Sequence, residues 1–73
     1  MIQTLDATGL LCPLPVLKLR KRLKSLQPGA HLEILTDDPA ALIDIPHFCA
    51  EGGHEVVTAQ IDNSPARWVV RKG

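Results

Sequence analysis

The chain has no tyrosine, one phenylalanine and one tryptophan, so aromatics make up only 3% of its 73 residues. This leaves no stacking platform of the kind single-stranded nucleic-acid binders use. An excess of one charge is missing too, since eight Lys and Arg balance eight Asp and Glu. No global field therefore draws the protein to nucleic acid or an anionic membrane. No apolar run approaches the roughly 20 residues of a membrane span. Met1-Ile2-Gln3-Thr4 has no basic stretch ahead of an apolar core, so no secretory signal is expected. The two cysteines then fit free thiols in a reducing cytosol, although the sequence leaves a Cys12–Cys49 disulfide open. Cys12, Cys49, His31, His47 and His54 show neither Cys-x2-Cys nor His-x3-His spacing, and no metal is expected. Repeats, linkers and low-complexity stretches are also lacking. The 45% apolar content fits one globular domain over residues 1–73. A chain of this size buries only about 60% of its unfolded surface, so any chemistry is expected on the outside.

One stretch stands out, Gly9-Leu10-Leu11-Cys12-Pro13-Leu14-Pro15-Val16. Proline lacks an N–H and clashes with the preceding turn, so Pro13 and Pro15 suit only the first turn of a helix. Pro13 also pushes Cys12 toward extended backbone. The pattern predicts Cys12 at the N-cap and Pro13 as the first helical residue. A thiol there sits at the positive end of the helix dipole, where the thiolate is favoured. Gly9 lets the chain turn where a side chain would obstruct it. Against this, a lone cysteine is usually a core residue and is a poor cap. The flanking prolines tip the balance toward a reactive surface thiol.

Ile2 to Asp6 reads as a first strand with Leu5 inward. A helix is predicted from Pro13 to about Leu26, with Val16, Leu19, Leu23 and Leu26 on one apolar stripe. Lys18, Arg20, Lys21, Arg22 and Lys24 cover its other faces. Leu14 and Leu17 fall off the stripe, either as a docking patch beside the thiol or under neighbouring loops. Pro28-Gly29 ends the helix, and Ala30 to Asp37 alternates as a second strand with Leu32, Ile34 and Thr36 on one face. Strand, helix and strand with short connections imply a parallel pair. A second helix begins at Asp38-Pro39 and is expected to break at Pro46 into two pieces, the second capped by Asp44. Leu42, Ile45, Phe48 and Cys49 form its apolar side. Gly52-Gly53 ends it. His54 to Asp62 and Ala66 to Lys72 make a hairpin around Asn63-Ser64-Pro65. The order βαβαββ predicts an α/β two-layer sandwich, with a four-stranded mixed sheet and two helices on one face.

Other chemistry is less well supported. Cys49 beside Phe48 reads as a core thiol. His47 or His54 could pair with a thiol, but no third orienting group is evident. The basic run is a solvated face, a surface that steers acidic protein partners, or an RNA contact, with steering ahead of RNA. Its cations are also expected to help hold Cys12 ionised. Asp37, Asp38 and Asp44 are assigned to helix caps.

These residues resemble a known family. Leu5-Asp6-Ala7-x-Gly9-Leu10-x-Cys12-Pro13-x-Pro15-Val16 is similar to the signature of the TusA/SirA family of small sulfur carriers. The similarity continues through Arg20-Lys21, Asp37-Asp38-Pro39-Ala40, Asp44-Ile45-Pro46-x-Phe48-Cys49, Gly53-His54-Glu55 and Val70-Arg71-Lys72. The resemblance implies the βαβαββ sandwich, which is similar to the C-terminal domain of a translation initiation factor. It also implies a Cys12 persulfide, loaded by a cysteine desulfurase and passed to a downstream relay protein. The implied destination is the 2-thio group of wobble uridine in tRNA, with molybdenum-cofactor synthesis or sulfur oxidation as alternatives. Gly9, Pro13 and Pro15 shape the site. Leu14, Leu17, Lys18, Lys21 and Arg22 are the docking candidates, and Leu14 occupies a variable position that is acidic in some members. Cys49 matches a position that does not carry the sulfur. No cofactor, no metal, no direct nucleic-acid contact and a monomer in the cytoplasm are expected. The rival readings are a non-catalytic RNA-binding or regulatory module on the basic helix, and a thiol redox switch using Cys12 and Cys49.

Overall fold

A computed structural model describes residues 2–73. Its elements are β1 (Gln3–Asp6), α1 (Leu14–Lys24), β2 (His31–Thr36), α2 (Ala41–Gly52), β3 (Glu55–Gln60) and β4 (Ala66–Arg71). The sheet runs β1-β2-β4-β3, with β1 parallel to β2 and the other pairs antiparallel. Register places Leu5 opposite Ile34, and Ile34 opposite Trp68. A strand's side chains alternate between faces, so this row marks the buried side of the sheet.

The stripe on α1 does what its spacing predicts. Leu19 and Leu23 are fully buried, and Val16 and Leu26 pack against the same cluster. That cluster also holds Ile45 and Cys49 of α2 with Ile34, Trp68 and Val70 of the sheet. Both helices therefore cover one face, giving the expected α/β two-layer fold. Trp68 fills its centre and donates its indole N–H to the buried Thr36 hydroxyl at 3.0 Å.

The second helix departs from expectation. It is one unbroken helix with Pro46 inside it, not two pieces. Its buried face is Ala41, Ile45 and Cys49, spaced i, i+4 and i+8 across the proline. Burial along that line holds the helix together against the local cost of Pro46. Pro46 itself is exposed. The hydrogen bond it cannot make belongs to the carbonyl of Leu42, a residue that is itself 43% exposed rather than on the apolar side. Asp44 consequently caps no second piece. Asp38 is not the cap of α2 either, because Ala40 holds that position.

The segments that follow β1 and β2 leave from the carboxyl ends of two parallel strands. In open α/β sheets, that end is where ligands are met. The stretch around Cys12 lies there.

Candidate thiol site on the first helix

Two carboxylates fasten the segment before α1. Gly9 has a φ of 76°, a left-handed conformation that glycine adopts freely. Its N–H donates to both oxygens of Asp37, at 2.9 and 3.0 Å. The N–H of Cys12 donates to Asp38 Oδ2 at 2.7 Å, and Asp38 Oδ1 accepts from the Ala40 N–H at 3.2 Å. Asp38 thus ties the thiol segment to the start of α2 with charge-assisted bonds. Asp37 and Asp38 serve the Cys12 loop rather than the helix caps assigned to them.

Pro13 occupies the N-cap, and α1 begins at Leu14. Cys12 therefore stands one residue further out than expected. The Leu14 N–H donates to Leu11 O at 2.8 Å, and the Leu17 N–H to Pro13 O at 3.1 Å. Pro15 lies in the first turn, where its missing N–H costs nothing, and its ring is buried. Around the exposed Cys12, Leu11 is 71% exposed, Leu14 45% and Leu17 49%. Of the two alternatives for Leu14 and Leu17, cover by neighbouring loops is excluded.

Cys12 opens onto a groove of about 590 Å³ between the two helices. Val16, Leu17 and Phe48 supply its apolar lining, while Arg20, Asp44, His47 and Glu51 supply charge or polarity. His47 and Glu51 pair with each other one turn apart on α2.

The electrostatics reverse one expectation. The Cys12 thiol is raised above its ordinary value, first because Asp44 accepts a hydrogen bond from its S–H. Slight desolvation and the negative charges of Asp44 and Asp38 add to this. The cations expected to hold it ionised are elsewhere. Lys18, Lys21 and Arg22 line a different groove with Leu5 and Ser25, on the flank of α1 facing away from Cys12's groove. Arg22 is also engaged there, with Nη1 donating to Gln3 Oε1 at 3.4 Å. Arg20 does face the thiol groove, but from the second turn of α1. With Cys12 outside the cap, two carboxylates outweigh the helix dipole.

Cys49 is 2% exposed, and burial pushes its thiol up to about 11. Both cysteines are free thiols. His54 stacks near Phe48, with ring centroids 5.6 Å apart, and its Nδ1 accepts from the Gly73 N–H. It lies outside the residues lining the thiol groove. Among the described residues, no three His, Cys, Asp or Glu side chains converge as metal ligands. Asp44 is the residue that sequence reasoning missed. An acid in the first turn of a helix reads as a dipole partner, and no local signal points it at a thiol on another element.

The whole-chain comparison settles the family. The model for the family described as sulfurtransferase TusA matches residues 3–72. The chain belongs to the TusA family. A crystal structure of a SirA-like protein from Desulfitobacterium hafniense superimposes with a TM-score of 0.78 at 25% identity. That alignment covers 97% of this chain and 95% of the other. TusA membership brings a sulfur-carrier role in general, and relay of sulfur implies protein partners on either side of the carrier. Among the described residues, no helix is long and apolar enough to cross a membrane.

Proposed function

We propose that this TusA-family chain carries sulfane sulfur as a persulfide on Cys12. A cysteine desulfurase supplies the sulfur, and a second protein of the relay takes it onward. The observation that carries this reading is the contrast between the two thiols. Cys12 is exposed at the mouth of an open groove, and Cys49 is sealed in the core. In loading, the Cys12 sulfur attacks the outer sulfur of the donor's persulfide. The donor's S–S bond breaks and its thiolate leaves. One S–S bond replaces another, so no oxidant is consumed. The outer sulfur on Cys12 is then open to attack by the acceptor's thiolate, with no pocket to leave.

Gly9, Pro13 and Pro15 set the backbone that presents the thiol before a partner arrives, which lowers the ordering cost of docking. Leu14 and Leu17 offer exposed apolar surface beside it, and Lys18, Lys21 and Arg22 form a basic flank that steers acidic partners. The destination we favour is the 2-thio group of wobble uridine in tRNA, reached through the acceptor protein and inside the cytoplasm. In bacterial cells stripped of their own carrier of this family, the chain should restore 2-thiouridine in hydrolysed tRNA. Nucleoside mass spectrometry reads the outcome. If tRNA thiolation stays at the background of the deletion strain while Cys12 loads normally, the tRNA destination is wrong and the carrier chemistry stands.

A further inference from the structure

We infer that Asp44 is a positioning residue for sulfur transfer. Across the groove that Cys12 and Asp44 share, its carboxylate accepts the Cys12 S–H and aims the sulfur into the groove where a donor docks. The inference rests on the reading of Cys12 as the sulfur-bearing residue and goes beyond it to the second group that governs the step.

The geometry leaves Asp44 free for this role. It sits in the first turn of α2, yet the cap of α2 is Ala40 and no side chain bonds there. The backbone N–H of Asp44 is used inside the helix, donating to Ala40 O at 2.9 Å. The carboxylate is half-buried and lines the same groove as Cys12. Asp38 holds the Cys12 backbone from the other side, with both of its oxygens already engaged. Backbone and thiol are thus held by two separate acids.

The remaining charged groups facing this thiol do not offset Asp44. From α2 come His47 and Glu51, which pair with each other. From α1 comes Arg20, on its second turn and not among the groups that shift the thiol. From the loop before α2 comes Asp38, which adds negative charge. The upward shift of the Cys12 thiol has the sign this arrangement demands. A neutral thiol is a slow target for oxidants and stray electrophiles, so the free carrier is protected at Cys12. During loading, the Cys12 electron pair forms the new S–S bond and the donor's S–S bond breaks. The Cys12 proton ends on the donor's leaving thiolate, handed over by the Asp44 carboxylate that accepts it.

The test uses the full chain and iodoacetamide, with alkylation at Cys12 followed by peptide mass from pH 6 to 10, a range set by the thiol's ordinary titration. Asp44→Asn should move the midpoint to lower pH. Removing one nearby negative charge raises the thiolate fraction several-fold, and the lower basicity takes back about half of that on a logarithmic scale. Alkylation at neutral pH should therefore run roughly threefold faster. Asp44→Glu should bring the midpoint back toward wild type, and Glu51→Gln should shift it less than Asp44→Asn. A midpoint in Asp44→Asn that is unchanged or higher, with circular dichroism showing an intact fold, overturns the inference. If Asp44→Asn does not fold, the wild-type protein decides. The carboxyl carbon resonance of Asp44 should show a step as Cys12 ionises, absent in Cys12→Ser, and no such step overturns the inference. Alkylation needs no sulfur donor. A failed shift therefore removes Asp44 from the step without touching persulfide loading, and failed loading leaves the alkylation result standing.

Discussion

A Cys12→Ser carrier is expected to deliver no sulfur to any acceptor while keeping the fold and thermal midpoint of the wild type. The loss should be complete, not graded, because a serine oxygen cannot hold a sulfane sulfur for a second protein to take. Stability should be spared because the side chain is exposed and contributes no burial to the core. Its backbone N–H bonded to Asp38 is retained by serine, and a serine hydroxyl can still donate to Asp44. Transfer of labelled sulfur from cysteine through a desulfurase to the acceptor is the measurement. Residual transfer above a carrier-free control would move the chemistry away from Cys12. A large fall in thermal midpoint would show that the thiol is structural. Cys49→Ser should behave in the opposite sense. It leaves Cys12 able to load but places a hydroxyl in the core beside Ile45 and Phe48, costing stability instead of transfer.

The second large effect falls on the core. Trp68→Ala should destabilise the protein by about 3–5 kcal/mol, the usual cost of truncating a buried aromatic. Trp68 is 2% exposed and joins residues of both helices and three strands in one cluster. Removing it also strands the buried Thr36 hydroxyl, whose indole partner is lost. A domain this small sits near the low end of the roughly 5–15 kcal/mol typical of folded proteins. Most of the stability should therefore go. Urea unfolding followed by circular dichroism is the proper probe, because the variant lacks the chain's one tryptophan as a fluorophore. A loss under about 1 kcal/mol would mean that the centre of the core lies elsewhere.

Where burial repeats with a period, the sequence could be read directly. The α1 stripe through Leu19 and Leu23 and the alternation of Leu32, Ile34 and Thr36 both predicted which faces are hidden. With those faces fixed, βαβαββ and a parallel first pair followed. Pro46 was misread because proline's effect is local and strong, whereas the line of Ala41, Ile45 and Cys49 that overrides it depends on what packs against it. Leu42 was misplaced for the same reason.

At the thiol, the motif marked the residue but not its electrostatics. Helix geometry makes Lys18, Lys21 and Arg22 neighbours on one flank, but which flank faces Cys12 depends on how α1 lies on α2. Asp37 and Asp38 looked like caps because acids before a helix commonly are. Their real partners, the N–H groups of Gly9 and Cys12, sit on a segment far back in the chain. Asp44 meets Cys12 only after folding. A thiolate was therefore expected where the assembled site favours a thiol, with acids rather than cations beside the exposed Cys12 sulfur.

Whether Cys12 bears the sulfur is decided by the intact mass of the purified protein after incubation with a cysteine desulfurase and cysteine, read with and without reductant. A gain of one sulfur atom is expected, located on the peptide holding Cys12, removed by reductant and absent in Cys12→Ser. No gain with a desulfurase that loads another carrier, or a gain located on Cys49, would contradict it.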